Sequence, residues 1–170
     1  MENSRDVNSI EFAPALFWAG RYESLTGDDE REYIVDCFMP SQELTNKLFE
    51  AQEAYIMSDR RDGYIKMIET RPLFKKQLAH CPKVWTKMDP ILRQADGLIS
   101  DPDWNEIQQD IYVKKKKAID RAVDLQLREW SQGKFFNAGM FAGNVDLVFL
   151  NNAPEPIEIP EPEQLDGQKL

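Results

Sequence analysis

Few side chains in this sequence are of a kind that does chemistry, and their spacing limits what each could do. There is one histidine, His80, and there are two cysteines, Cys37 and Cys81. A single histidine leaves out a two-histidine metal site. A cysteine–histidine pair would need Cys37 or Cys81 to approach His80 in space, because neighbours on a helix such as His80 and Cys81 point about 100° apart. Two distant cysteines make neither a secreted disulfide framework nor a metal knuckle, so both are expected as reduced, packed thiols. His80 is expected at a helix C-terminus, against the last carbonyls. Asp28, Asp29 and Glu30 offer clustered oxygens of the sort used by a hydrolytic pair or a divalent cation. Three consecutive acids point in different directions, however, and usually decorate the start of a helix. Gly133, Gly139 and Gly143 lack the Gly-Lys-Ser/Thr ending of a phosphate loop. The expectation is therefore no catalytic constellation, no metal site and no cofactor.

The second group is basic. Lys114, Lys115, Lys116 and Lys117 span a full helical turn, so on a continuous helix at least one must lie near the buried seam and reach out along its alkyl stem. With Arg121 and Arg128 they form a candidate ridge for an acidic partner or for phosphates, and Trp85 or Tyr64 could stack bases. The third group is apolar. Phe135, Phe136 and Phe141 lie in the most hydrophobic part of the chain and are candidate contacts for a partner.

These groups must be positioned by helices. Asp101 to Ser131 reads as the longest one, with Asp101 as N-cap, Pro102 in the first turn, and Trp104, Ile107, Ile111, Ala118, Ala122, Leu125 and Trp130 on or near one stripe. Shorter helices are expected to pack on it. A helix from Pro14 to Leu25 is apolar around more than half its circumference and should be buried. Arg21 within it needs a carboxylate, and the acids Asp28 to Glu30 are the nearest supply. Gly20 implies either close approach of another backbone or simple tolerance. A second helix follows the Thr26-Gly27 turn, and Ser41 caps a third whose stripe is Leu44, Leu48, Ala51, Tyr55 and Ile56. Residues 59–63, DRRDG, read as a charged turn. Pro72, Pro82 and Pro90 divide the next stretch into short helices, with a kink or split at Pro90. Residues 135–150 fit either a turn and a buried strand, Val145 to Leu150, or a final core helix; the strand is slightly favoured by length, and would leave an edge open to a partner or a second copy.

The run LFWAGRYESL, residues 16–25, followed by QELTNKLFEAQEAY, residues 42–55, resembles a pattern in uncharacterised proteins of filamentous fungi. Their pattern is a stretch like FWAGR, an aromatic or Leu-rich helix, and an acidic helix closing on a Phe-Gln-Tyr-like pattern, here Ala51, Gln52 and Tyr55. The resemblance covers residues 16–56. Acids from Asp28 to Glu32 stand where that pattern would carry basic and aromatic residues. The family has no attached activity, so the resemblance implies only an intracellular eukaryotic setting.

Charge bounds the partners. The net charge of −9 argues against nonspecific coating of nucleic acid, but residues 1–59 hold thirteen acids against four bases and residues 60–93 nine bases against three acids. Such alternation suits acidic and basic helices facing each other within the fold, or a basic face for an acidic partner. No apolar run reaches the length of a membrane span, and the N-terminus lacks the features of a signal peptide, so an intracellular location is expected. The reading is an all-α bundle of six or seven helices forming a single domain over residues 1–150. An acidic Pro/Glu-rich tail, residues 151–170, is expected to be disordered. The expected function is a noncatalytic, protein-binding adaptor or assembly subunit, with self-association through the apolar segment as one route. A nucleic-acid-associated protein using the lysines is the alternative, and a hydrolase using the acids the third.

Overall fold

The computed structural model describes residues 10–152, and every regular element among them is helical. After a 3-10 turn at Ile10–Phe12 come α1 (Ala13–Thr26), α2 (Arg31–Cys37), α3 (Gln42–Met57), α4 (Arg60–Glu69) and α5 (Arg71–Leu78). Then follow α6 (Pro82–Ile99), α7 (Trp104–Lys114), α8 (Lys116–Ser131) and α9 (Phe135–Asn151). The all-α expectation holds. Among the described residues there are nine α-helices rather than six or seven, because the long stretch divides and the last apolar segment is helical. None of these helices is long and apolar enough to cross a membrane. Most of the expected acidic tail, from residue 153 onward, lies outside the described residues.

The centre of the bundle is α1, not the stretch from Asp101 to Ser131. Every residue from Ala13 to Gly20 is buried. A helix that is apolar around most of its circumference can bury all of it only at the middle, whereas an amphipathic helix has one face to bury and belongs outside. The largest interface in the fold joins α1 to α9. Glycines permit it. A Cβ added to Gly20 would fall 2.0 Å from the Phe136 carbonyl oxygen, and one on Gly139 would fall 1.9 Å from that of Phe17. The two backbones are thus in contact, which decides the reading of Gly20 in favour of close approach. Ser24 Oγ donates to the Met140 carbonyl at 2.6 Å across the same crossing.

The segment after Gly133 is therefore no edge strand. Its buried residues, Phe135, Phe136, Ala138, Gly139, Ala142, Val145, Asp146 and Phe149 among them, recur at helical steps of three and four. They form part of one continuous core.

Local signals set most of the boundaries. Ser41 Oγ accepts from Leu44 N at 3.2 Å and caps α3 as its position suggests. Asp59 likewise accepts from Asp62 N at 2.9 Å, so DRRDG is the cap and first turn of α4 rather than a connecting turn. Gly27 at φ 85° and Gly133 at φ 73° supply the left-handed residues that end α1 and α8. Helix α6 runs through Pro90 without a break.

The long helix expected over Asp101–Ser131 is two. Asp101 does not cap it; its carboxylate accepts from Asp103 N at 2.8 Å, and the helix begins at Trp104. Lys115 then leaves helical geometry at φ −114°, ψ 21°, and α8 starts at Lys116. Four adjacent ammonium groups repel one another within a turn. On either side of the break one lysine pairs within its own helix, Lys114 with Asp110 in α7 and Lys116 with Asp120 in α8.

Cys37 and Cys81 are joined in a disulfide with their Cα atoms 5.5 Å apart, which corrects the expectation of two reduced thiols. They lie 44 residues apart, but the fold lays the end of α2 against the start of α6. The same contact carries ion pairs, Glu30 with Lys83 at 2.9 Å and Asp28 with Lys87.

Candidate functional site

The lysine run owes its geometry to the break at Lys115. With two short helices meeting there, Lys114, Lys115, Lys116 and Lys117 are all exposed, and none is drawn toward the buried seam as a continuous helix would require. Lys114 Nζ lies 2.8 Å from Asp110 Oδ2. Lys116 pairs with Asp120, whose other oxygen accepts from the Tyr112 hydroxyl at 3.2 Å. The bond to Asp120 raises the Lys116 ammonium above the ordinary lysine range. Burial, and then the Asp120 charge, raises the Tyr112 hydroxyl. Among the described residues Lys115, Lys117 and Arg121 have no ion-pair partner. Val113 beside them is 63% exposed. Arg61 donates to Gln109 of α7 and Arg60 to Asp124 of α8, which holds the α3–α4 turn alongside. Near that turn Ile56 is 67% and Met57 76% exposed.

The phenylalanines do not join this surface. Phe135 is 5% and Phe136 7% exposed, and Phe141 is half-buried. Phe135 meets the Trp130 ring edge-on at 4.9 Å, and the Arg31 guanidinium lies over Phe136 at 3.5 Å from its centroid. Trp130 sits at the end of α8 remote from Lys116, roughly 20 Å away at the helical rise. The sequence therefore named two groups that the fold keeps apart, one of them core. Tyr64 is also buried, stacked on Phe149 with centroids 4.1 Å apart, and Trp85 is half-buried. Tyr64 thus presents no free face for a base, and Trp85 is only partly exposed. Arg128 leans on Glu129 at 3.3 Å rather than joining the ridge.

The acidic cluster is neutralised from both sides. Asp28 pairs with Lys87, Glu30 with Lys83, and Asp29 with Arg31 at 3.5 Å. Among the described residues no three His, Cys, Asp or Glu side chains are placed to hold a metal ion. His80 is exposed, and both sulfurs are bonded to each other, so no thiolate can pair with it while the bridge stands.

One polar constellation escaped the sequence reading in part. Arg21 finds its carboxylate in Asp146 of α9, not among Asp28 to Glu30. Its Nε and Nη2 donate to Asp146 Oδ2 at 2.9 and 2.7 Å, and its guanidinium lies over Trp18 at 5.0 Å from the ring centroid. Burial raises the Asp146 carboxyl above the usual aspartate range, with Arg21 opposing the shift. Burial also lifts the Tyr64 and Tyr55 hydroxyls far above their usual range, with Asp146 adding to it. The pair lines a cavity of about 50 Å³ between α1, α4, α6 and α9, with apolar walls from residues such as Leu25, Met67, Ile91 and Leu92. A lone aspartate in the apolar run Val145-Asp146-Leu147 was the available signal, the counterpart of a lone arginine in α1.

No family model matches the chain, and neither a curated protein nor a solved structure does.

Proposed function

We propose that the protein is a noncatalytic binding module whose basic joint between α7 and α8 receives an acidic, partly apolar segment of a partner protein. The observation that carries this reading is the break at Lys115. It turns four adjacent lysines outward and leaves Lys115, Lys117 and Arg121 unpaired beside an exposed Val113. Unpaired cations next to exposed aliphatic groups favour a partner that supplies carboxylates and apolar side chains together. A nucleic acid is the weaker candidate. Asp110, Asp120 and Asp124 are interleaved with the cations, and two of them already hold lysines. The net charge of −9 repels a phosphate backbone beyond the patch.

The test is a pair of titrations on the full chain, with a labelled peptide of alternating Glu and Leu and with single-stranded RNA of equal charge. Binding of the peptide that falls at least about tenfold in Lys115→Glu/Lys117→Glu/Arg121→Glu supports the reading; tenfold is about 1.4 kcal/mol. Tighter binding of the RNA, with a steep loss as salt rises, would transfer the surface to nucleic acid. Equal binding of the peptide by wild type and triple variant would remove the ridge from function.

A further inference from the structure

The cavity beside Arg21 has more hydrogen-bond donors than acceptors. Its charged lining residues are two cations, Arg21 and Arg71, against one anion, Asp146. Arg71 extends from the first turn of α5, and its Nη1 lies against Asp96 Oδ1 of α6, which Lys75 also holds at 2.9 Å. Including those two neighbours leaves three cations facing two carboxylates. The charge excess is matched by unpaired donors. Arg71 Nε is buried without a hydrogen-bond acceptor, and so is Nε1 of Trp18, a residue 1% exposed. Buried donors are nearly always satisfied, by protein, water or ligand, because each forfeits its hydration on folding. Here two belong to residues lining one cavity.

The walls say what else the occupant carries. Leu25, Ile91, Leu92, Leu98, Ile99 and Leu150 supply hydrocarbon. An inorganic anion would leave that surface dry and unfilled, while a plain hydrocarbon would leave the guanidinium and indole donors unmet. A carboxylate matches the planar fork of an arginine with two parallel bonds. Size completes the specification. At roughly 10–15 Å³ per water, about 50 Å³ takes on the order of four waters, and hence a molecule of only a few heavy atoms. Half-buried Arg71, Ala95, Leu98 and Ile99 mark the cavity's outer edge, so an entering carboxylate meets Arg71.

We propose that this cavity is a binding site for a short-chain aliphatic monocarboxylate, whose head takes the free donors of Arg71 and Trp18 and whose chain lies against the α6 and α9 aliphatic side chains. Arg21 and Asp146 neutralise each other at its wall and keep Asp146 from repelling the ligand. The site is independent of the lysine ridge and does not rest on it.

The experiment is an NMR titration of the full chain with butyrate, following the methyl resonances of Ile91, Leu92 and Ile99, with acetate, hexanoate, octanoate, 1-butanol and butylamine as the comparison series. Butyrate is expected to saturate with a dissociation constant on the order of 1 mM, as befits six heavy atoms. The longer acids and the uncharged alcohol should bind at least about fivefold more weakly, and the amine should not bind. Arg71→Met should weaken butyrate about tenfold or more, the range for a lost charge-assisted pair. Ala95→Phe, which fills the edge of the cavity without touching a charge, should abolish binding while the spectrum stays folded. Butanol binding as tightly as butyrate would overturn the proposal by showing an apolar hole only. Tighter binding of butylamine would overturn it in favour of Asp146 as the recognition group. Absence of any saturable shift at these methyls in folded wild type, or unchanged affinity in Arg71→Met, would overturn it outright.

Discussion

Arg21 and Asp146 are each costly alone and tolerable together. A guanidinium and a carboxylate removed from water lose hydration that only their mutual contact and hydrogen bonds restore. Removing one partner strands the other, so Arg21→Met should lower the unfolding free energy by roughly 3–5 kcal/mol in urea titrations. The double change Arg21→Met/Asp146→Leu should recover most of that loss, since the apolar walls can then close on an apolar pair. A double variant no more stable than the single one would show that packing by the Arg21 stem is the larger contribution. The pH dependence has a definite sign. Burial raises the folded Asp146 carboxyl above its unfolded value, so the native state holds that proton more tightly. Its favourable contribution is complete below the unfolded value and is lost as pH rises through the folded one. Stability measured against Asp146→Asn should therefore fall from about pH 4 upward, about 4 being the unfolded aspartate value. A difference that grows with pH would contradict the assignment. The sequence flagged Arg21 correctly as a group in need of a carboxylate. It misplaced the partner because proximity along the chain favoured Asp28 to Glu30, while the partner lies 125 residues away on the helix that crosses α1.

The α1–α9 crossing is the element on which the others depend, and glycine substitution separates contact from mere helix propensity. Gly139→Ala would drive a methyl into the Phe17 carbonyl of α1 and force the helices apart; the expected loss is about 3 kcal/mol or more, or failure to fold. Gly97 in α6 has nothing within 4 Å of where a Cβ would stand, so Gly97→Ala should stabilise by about 0.5–1 kcal/mol. Thermal melts of the two variants would check both, and equal shifts would mean that the crossing is looser than its geometry implies. Length tilted the sequence reading of α9 toward a strand, and the feature that explains its glycines, a partner backbone, is not visible in the sequence. The helical period of Phe135, Ala138, Ala142, Val145 and Phe149 was present throughout. The break at Lys115 was less legible. No glycine or proline marks it, and the crowding of like charges that accompanies it is something propensity and periodicity do not weigh.

On the scale of the molecule, charge segregation resolves largely into local neutralisation. The acidic turn before α2 meets basic residues of α6, Arg71 and Lys75 meet Asp96, and Arg60 meets Asp124. The sequence allowed this reading beside the binding one, and the fold leaves three cations without an ion-pair partner close together at Lys115, Lys117 and Arg121. Exposed pairs contribute little, so Lys83→Ala should leave the urea midpoint almost unchanged. A larger effect in the same urea titration would mean that the Glu30 pair anchors α2. The Cys37–Cys81 bridge is of another order. Closing a loop across 44 residues is worth about 4 kcal/mol in the chain-entropy account, so Cys37→Ala/Cys81→Ala should lose much of that. An unchanged melting temperature would assign the pairing no energetic part. Two cysteines without a framework gave the sequence no reason to join them. Their union has a consequence outside the fold, since glutathione would act on this protein as a slow denaturant of one tie and leave the remaining helices to their packing. Its lifetime in a cell would then report the oxidising or reducing character of the compartment that holds it.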